Sequence, residues 1–310
     1  EYRSEEVISR PLFDVLGGVR NDFYRLFGSA EWHLGDAWLL NAGALFERND
    51  FSGASASPRV MLNWHVQPGH TLRAGASTAF RPPSAYEKYG QRRYYAANGQ
   101  NPTPYYTFND GSVLPERLLS KELGYHFAPP AWSVSGDMRV FSEQISDGIV
   151  HTEVNGAGVQ TERYVNAHQD QINGVEWQAQ WSPRPATRLM LTQSWTTIAA
   201  QSSFPGNTVF RTQHGAPRYA ASLVLMHRWD SGLQLSVMHQ QADEVALMSA
   251  VKGAVHSMQR TDLRVAQAFR LGGTKAELAL VVQNLNDPYR DGDTKFFFNR
   301  RAMLSLRVEH

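Results

Sequence analysis

The chain has 310 residues, 30 basic and 29 acidic, for a net charge of +1, and no cysteine. That balance excludes the basic surface that nucleic-acid binding needs, and the lack of thiols excludes a disulfide scaffold, a thiolate metal site and a cysteine nucleophile. Hydrophobic residues make up 42% of the chain, mean hydropathy is −0.42, and no run reaches the roughly 18 apolar residues of a membrane helix. The longest apolar stretches are short, and one of them, Ala276–Val282, contains Glu277. A helical membrane protein is therefore excluded. A β-barrel is not, because its strands alternate apolar and polar residues and average to a polar composition. The first residues, Glu1–Glu6, lack a charged-then-apolar leader layout, so the chain reads as a mature protein or a fragment.

Period-two alternation then recurs along the chain. Tyr24, Leu26, Ala30, Trp32 and Leu34 alternate with Arg25, Phe27, Ser29, Glu31 and His33. Successive side chains of a strand point to opposite faces, so this segment has an apolar and a mostly polar side. After a turn at Gly35-Asp36-Ala37 the return strand sets Trp38, Leu40, Ala42, Ala44 and Phe46 on the apolar side. The same pattern reappears at Val60–Val66, Leu72–Phe80, Leu123–Phe127, Trp132–Val140, Val175–Trp181 and Leu189–Trp195. Weaker units follow near Arg218–His227, Leu233–Gln240, Asp262–Arg270 and Ala276–Gln283, and a last strand at Ala302–Val308. This predicts roughly 13 or 14 strands, each long enough for a tilted membrane strand. Short turns near Gly35, Pro68, Pro129, Pro183, Asp230 and Gly272 alternate with long polar connections. The long ones are expected at Asn49–Ser57, Pro82–Pro115, Glu143–Gln171, Ala199–Pro217, Gln241–Ser257 and Asn286–Arg300. Short turns on one rim and long loops on the other describe an all-β, antiparallel transmembrane β-barrel. Trp32, Trp38, Trp64, Tyr125, Phe127, Trp132, Trp177, Trp181 and Trp229 lie near short turns, as an interfacial aromatic girdle requires.

Four motifs carry a family resemblance. Ser57-Pro58-Arg59 is followed by Ala79-Phe80-Arg81-Pro82-Pro83-Ser84; Leu114-Pro115-Glu116 leads into Ser120-Lys121-Glu122-Leu123-Gly124; then come Asn173-Gly174-Val175-Glu176 and Asn284-Leu285-Asn286-Asp287-Pro288-Tyr289. In this order and spacing they resemble the barrel of TonB-dependent outer-membrane receptors. The resemblance implies a barrel of roughly 22 strands, plugged by an N-terminal domain, in the bacterial outer membrane. The chain accordingly reads as a single barrel domain over residues 1–310, the C-terminal portion, with no plug or TonB-contact segment in it. The chain ends Arg307-Val308-Glu309-His310, where the family usually ends in Phe, and His310 has the outward parity of that aromatic.

The resemblance also implies active, TonB-coupled uptake of a scarce ligand, commonly a ferric siderophore, with the TonB complex, the ligand and outer-membrane lipid as partners. A passive pore or structural barrel without TonB coupling remains open, as does a soluble all-β binding protein. The connection Pro82–Pro115 is the richest candidate ligand site. Arg81, Tyr86, Arg92, Arg93, Tyr94, Tyr95, Tyr105 and Tyr106 lie in or beside it. A guanidinium pairs with anionic oxygens and aromatic faces suit ring ligands. On the lumenal face, Arg73, Glu122, Arg139 and Glu176 are expected to face a plug, with Arg25, Glu31, Glu47, Asp137 and Arg188 as further lumenal charges. Haem receptors of the family carry a His between the two elements that here are Phe80–Pro83 and Asn101–Pro104; none stands between them. No cofactor is implied. The 11 His show no His-x-x-x-His spacing, so no metal site is expected. No nucleophile elbow, P-loop or dinucleotide-binding glycine run is present, so no enzyme is expected.

Overall fold

The structure, a computed structural model, describes residues 1–13, 17–95, 102–156, 159–204, 208–246, 255–290 and 297–309. His310 lies outside the described residues. In chain order the elements are β1 (Tyr2–Val7), α1 (Arg10–Phe13), β2 (Val19–Leu34), β3 (Trp38–Asn49), β4 (Gly53–Gln67), β5 (His70–Arg81) and α2 (Ala85–Tyr89). Then come β6 (Gln91–Tyr95), β7 (Pro102–Phe108), β8 (Glu116–Phe127), β9 (Val134–Gly156), β10 (Val159–Arg184), β11 (Thr187–Ser202), α3 (Thr208–Gln213) and β12 (Tyr219–Arg228). The last are β13 (Leu233–Ala246), β14 (Val255–Leu271), β15 (Thr274–Gln283), β16 (Tyr289–Arg290), β17 (Phe297–Phe298) and β18 (Arg301–Glu309). Among the described residues no helix is long and apolar enough to cross a membrane.

Fourteen strands form one antiparallel meander, β1 to β5, β8 to β15, then β18, each paired with the next in sequence. Among the described residues β1 and β18 are not paired with each other, so the sheet is an unclosed wall. Short turns fall where the alternation breaks. Gly35, Gly69, Gly232 and Gly272 close four of them with φ of 69°, 80°, 83° and 62°, a backbone region that glycine enters without steric cost.

Register turns the alternation into continuous rows across strands. One outward row runs Leu72, Tyr125, Met138, Trp177, and the next runs Ala74, Leu123, Val140, Val175, Trp195, Tyr219. Between them lies the lumenal row Arg73, Gly124, Arg139, Glu176, Ser194. The outward side chains are exposed: Leu123 is 63% accessible, Leu26 72% and Leu304 72%. A soluble sandwich would bury such a face against a second sheet, so the sandwich alternative fails here. The fully buried apolar core is correspondingly small: its large side chains, Phe13, Phe23, Phe51 and Val113, sit toward the long-connection rim, and the small Ala266, Ala276 and Ala279 lie in the β14–β15 hairpin. Trp38 stacks on Trp64 at 5.1 Å, near the short-turn rim.

The long connections differ from the sequence expectation. Glu143–Gln171 is not a loop: β9 and β10 continue as paired strands of 23 and 26 residues beyond the height of their neighbours. Pro82–Pro115 folds into α2 and the β6–β7 hairpin. Gly53–Ser57, within the expected Asn49–Ser57 loop, belongs to β4. In β9 and β10 the stretches Ser142-Glu143-Gln144 and Gln169-Asp170-Gln171 are polar on both faces, which interrupts the period-two signal without affecting backbone pairing.

Candidate functional site

Two constellations stand out, one inside the wall and one at its long-connection rim. Inside, Arg73 donates from both terminal nitrogens to Asp137, at 2.9 and 2.8 Å. Its Nε lies 3.7 Å from Glu122. Arg139 reaches Glu122 at 3.2 Å and Glu176 at 2.9 Å. His126 stands 3.5 Å from Asp137. The four residues expected to line the lumen, Arg73, Glu122, Arg139 and Glu176, thus join one alternating ladder across β5, β8, β9 and β10. Gly124 makes the crossing possible. A Cβ there would meet Arg73 Nε at 2.4 Å, so only a bare backbone lets Arg73 pass over β8 to β9. Gly174 serves Phe141 alike, whose ring would meet its Cβ at 2.5 Å. Further along the same face Arg25 pairs with Glu47 at 2.6 Å and Arg264 with Glu277.

At the rim, Arg81 closes β5 and is held by two carboxylates: Glu116 at 2.5 Å and Glu87 at 3.1 Å. Glu87 also completes a capping box on α2, accepting from the Ser84 amide while the Ser84 hydroxyl accepts from the Glu87 amide. The sequence Ser84-Ala85-Tyr86-Glu87 carries that signal. Burial tends to lift the Glu116 carboxyl, but Arg81 and the Ile149 amide more than offset it and hold it below the ordinary carboxylate value. Asn109 Nδ2 donates to the Tyr86 carbonyl, and its Oδ1 accepts from the Tyr164 amide on β10. Asn166 binds both the amide and the carbonyl of Leu114. Lys88 is buried and donates to the Val113 carbonyl at 2.7 Å; burial lowers its pKa, with Asp110 opposing. β7 runs parallel to β10, pairing Tyr105, Tyr106 and Thr107 with Gln160, Thr161 and Glu162. Together these contacts dock α2 and the β6–β7 hairpin onto the tall β9–β10 hairpin.

This module also leans over the interior side. Pro82, Pro83, Ser84 and Ala85 share a 370 Å3 cavity with Arg3, Phe23, Arg25 and Phe51. Arg3 and Arg25 sit over the Phe23 ring at 4.7 and 5.1 Å. Phe51 packs edge-on against Tyr89, and Tyr86 against Phe13 and Tyr164. The sequence reading missed Arg3, Phe23 and Phe51, since nothing local ties β1 and β2 to α2.

The candidate ligand residues divide accordingly. Arg81 is occupied by its two carboxylates and Tyr86 by ring packing, so both hold the module in place. Arg92 is exposed on β6, and its charge draws Glu162 downward against the stronger upward push of burial. Arg93, Tyr94 and Tyr95 lie on β6 and Tyr105 and Tyr106 on β7, with Arg93 opposite Tyr106; their side chains are outside the described residues. Elsewhere at the rim, His168 Nε2 lies 2.8 Å from Asp170, both buried, and burial lifts the Asp170 carboxyl with His168 opposing. Among the described residues no three His, Asp or Glu are grouped to hold a metal. Asn284, in the last of the four motifs, is fully buried with φ 55°. Its side chain donates to the Phe298 carbonyl and its amide to Asp262, a left-handed position that Asn tolerates better than most residues.

Comparison with known proteins agrees with this geometry. The family model described as TonB dependent receptor-like, beta-barrel matches residues 8–285. The ferrienterobactin receptor of Escherichia coli is 22% identical over 165 residues, 50% of this chain and 21% of the relative. The vitamin B12 transporter BtuB of Vibrio cholerae is 24% identical over 157 residues, 50% of this chain and 21% of that protein. Among solved structures, the siderophore receptor PirA of Pseudomonas aeruginosa superposes with a TM-score of 0.72 at 15% identity, over 98% of this chain and 51% of its own. The FrpB iron transporter of Neisseria meningitidis gives a TM-score of 0.67 at 13% identity, over 93% and 45%. The matched part thus spans about a fifth of the curated relatives and half of the first solved one. With a family model covering most of its length and every motif residue placed in the wall or at its rim, the chain belongs to the TonB-dependent receptor β-barrel family of the bacterial outer membrane.

Proposed function

We propose that this chain is the barrel part of a receptor for TonB-coupled uptake of a scarce ligand, a ferric siderophore, and has no enzymatic role. The observation that carries the reading is the stapled rim module. The β6–β7 hairpin brings Arg92, Arg93, Tyr94, Tyr95, Tyr105 and Tyr106 together on one backbone register. Its strand β7 is fixed to β10, and residues 82–85, which lead into α2, line a cavity with Arg3 and Arg25. An anionic, aromatic iron chelate suits such a surface, through charge-assisted hydrogen bonds and ring contacts. The ferrienterobactin receptor and PirA, both named for siderophore or enterobactin binding, support the ligand class. In this reading the wall and its rim module form one domain, and the ladder of Arg73, Glu122, Arg139 and Glu176 faces the plug that TonB acts upon.

The test is binding of radiolabelled ferric catecholate and ferric hydroxamate siderophores to cells expressing the intact receptor, with and without Arg92→Ala plus Arg93→Ala. The expected result is binding of one class, weakened about tenfold or more by the double substitution at unchanged surface expression. Failure of the intact receptor to bind any ferric siderophore would end the iron reading.

A further inference from the structure

Charge is spread unevenly over the lumenal face of the wall. Arg25, Glu47, Arg59 and Arg73 stand on it in β2 to β5, the ladder carries it across β8 to β10, and Arg264 and Glu277 resume it in β14 and β15. Between them, the middle stretches of β11, β12 and β13 set only neutral side chains inward. Three successive rows show this. One runs Gln180, Met190, Val224, Met238, and the next runs Gln178, Thr192, Ser222, Gln240. The third leaves Glu176 of the ladder and continues Ser194, Ala220, Ala242. Charge returns only at the strand ends, with Arg188 and Arg228 beside the short turns and Arg218 and Glu244 toward the long connections.

Neighbouring strands lie about 4.8 Å apart, so this neutral strip is roughly 15 Å wide. A recess of 490 Å3 opens in it, lined by Thr192, Ser194, Ala220, Ser222, Gln240 and Ala242, with Glu176 at one edge and Met258 at the other. Small side chains create it, since Ser194, Ala220 and Ala242 are consecutive across three strands. The Thr192 and Ser222 hydroxyls satisfy each other at 2.7 Å. On the ladder a negatively charged chelate would be held by Arg73 and Arg139 and repelled by Glu122 and Glu176; the strip offers neither a deep well nor a barrier. A solute crosses a lumen where each contact is favourable enough to enter and weak enough to leave. Neutral hydroxyls and amides, with adaptable Met side chains beside them, meet that condition.

We propose that the recess and strip of β11–β13 are the track along which the imported anionic chelate crosses the lumen, its passage set by Ser194, Ala220, Ser222 and Ala242. The proposal rests on the uptake reading above and adds to it a transit surface separate from the rim module that captures the ligand. The neutrality of the strip governs how fast the cargo moves, not how tightly the receptor first binds it.

The experiment compares surface binding and radioiron uptake of ferric catecholate and ferric hydroxamate siderophores in cells expressing the intact receptor at matched surface levels. Ser222→Glu places a negative charge in the strip, and Ala220→Trp fills the recess. Both are expected to slow uptake about tenfold, the size of one like-charge repulsion in a partly solvated lumen, with surface binding unchanged. Ser222→Gln, which has the size of the Glu variant without its charge, should keep uptake near that of the unmodified receptor. Asn41→Glu, a lumenal charge on β3 away from the strip, should do the same. Normal uptake in Ser222→Glu and Ala220→Trp would overturn the proposal, as would an equal loss in Ser222→Gln or Asn41→Glu, or a loss of surface binding that accounts for the slower uptake. In all three cases the unmodified receptor still imports, so the uptake reading stands. An unmodified receptor that accumulates neither siderophore would overturn that reading, and the track with it.

Discussion

Arg73 shows how much of this wall depends on single side chains. It spans β8 to reach Asp137 only because Gly124 presents no Cβ. Replacing Arg73 with Ala leaves Asp137 and Glu122 facing the lumen without their shared cation. These groups are partly solvated, at 18–27% side-chain exposure, so the expected cost is on the order of 1–2 kcal/mol rather than that of a fully buried pair. Urea unfolding of the intact receptor in lipid vesicles measures it. Gly124→Leu should destabilise similarly even though it adds apolar surface; an increase in stability would remove the close-approach explanation. The ladder residues were legible in the sequence because period-two parity places Arg73, Glu122, Arg139 and Glu176 on the polar face. Gly124 was not singled out, because its role appears only when β5 and β9 are seen two strands apart.

Among the elements, the module of α2, β6 and β7 is held by few contacts, which makes it testable piece by piece. Asn166 satisfies both backbone groups of Leu114 and the Asp147 carbonyl. Asn166→Ala should loosen the segment by about 1–3 kcal/mol, the desolvation cost of the unpaired groups. Faster hydrogen exchange at Leu114 and Asn109, with β8 unchanged, is the expected signature. The Arg81–Glu116 contact adds a pH dependence. Glu116 is held below its ordinary value, so its contribution is fully present above that value and is lost as pH falls through the depressed one. Limited proteolysis between α2 and β8 should therefore accelerate on acidification, and Glu116→Gln should show the fast rate already at neutral pH. An unchanged rate in Glu116→Gln would show that the contact does not anchor the module. This element was only half legible. The richness of Pro82–Pro115 in Tyr and Arg was visible, but its docking was not, because β7 lies parallel to β10, far away in sequence. Likewise the upper halves of β9 and β10 read as loop since Ser142-Glu143-Gln144 and Asn166–Gln171 are polar on both faces. Only the β-branched run Ile145, Ile149, Val150, Thr152 and Val154 hinted at strand.

For the whole molecule, strand number, antiparallel meander and short-turn rim were all readable from the chain, because a membrane imposes the same two-sided pattern on every crossing. Lipid on one side and water on the other make side-chain parity the governing variable. The chain has no cysteine, so single substitutions report parity cleanly. In the intact receptor, Cys at Val140 or Val175 should react with a lipid-soluble maleimide and resist a charged one. Cys at Ser194 or Gln178 should react with the charged reagent from the lumenal side. The reverse pattern would invert the wall.

The central claim, energised import of a ferric siderophore, is tested most directly by radioiron uptake. Cells lacking other iron receptors and carrying the intact receptor are supplied with ferric catecholate or ferric hydroxamate, with and without a protonophore. The expected result is accumulation from one siderophore class that stops with the protonophore while surface binding persists. Accumulation at the same rate with the protonophore would contradict the claim and mark the protein as a passive pore.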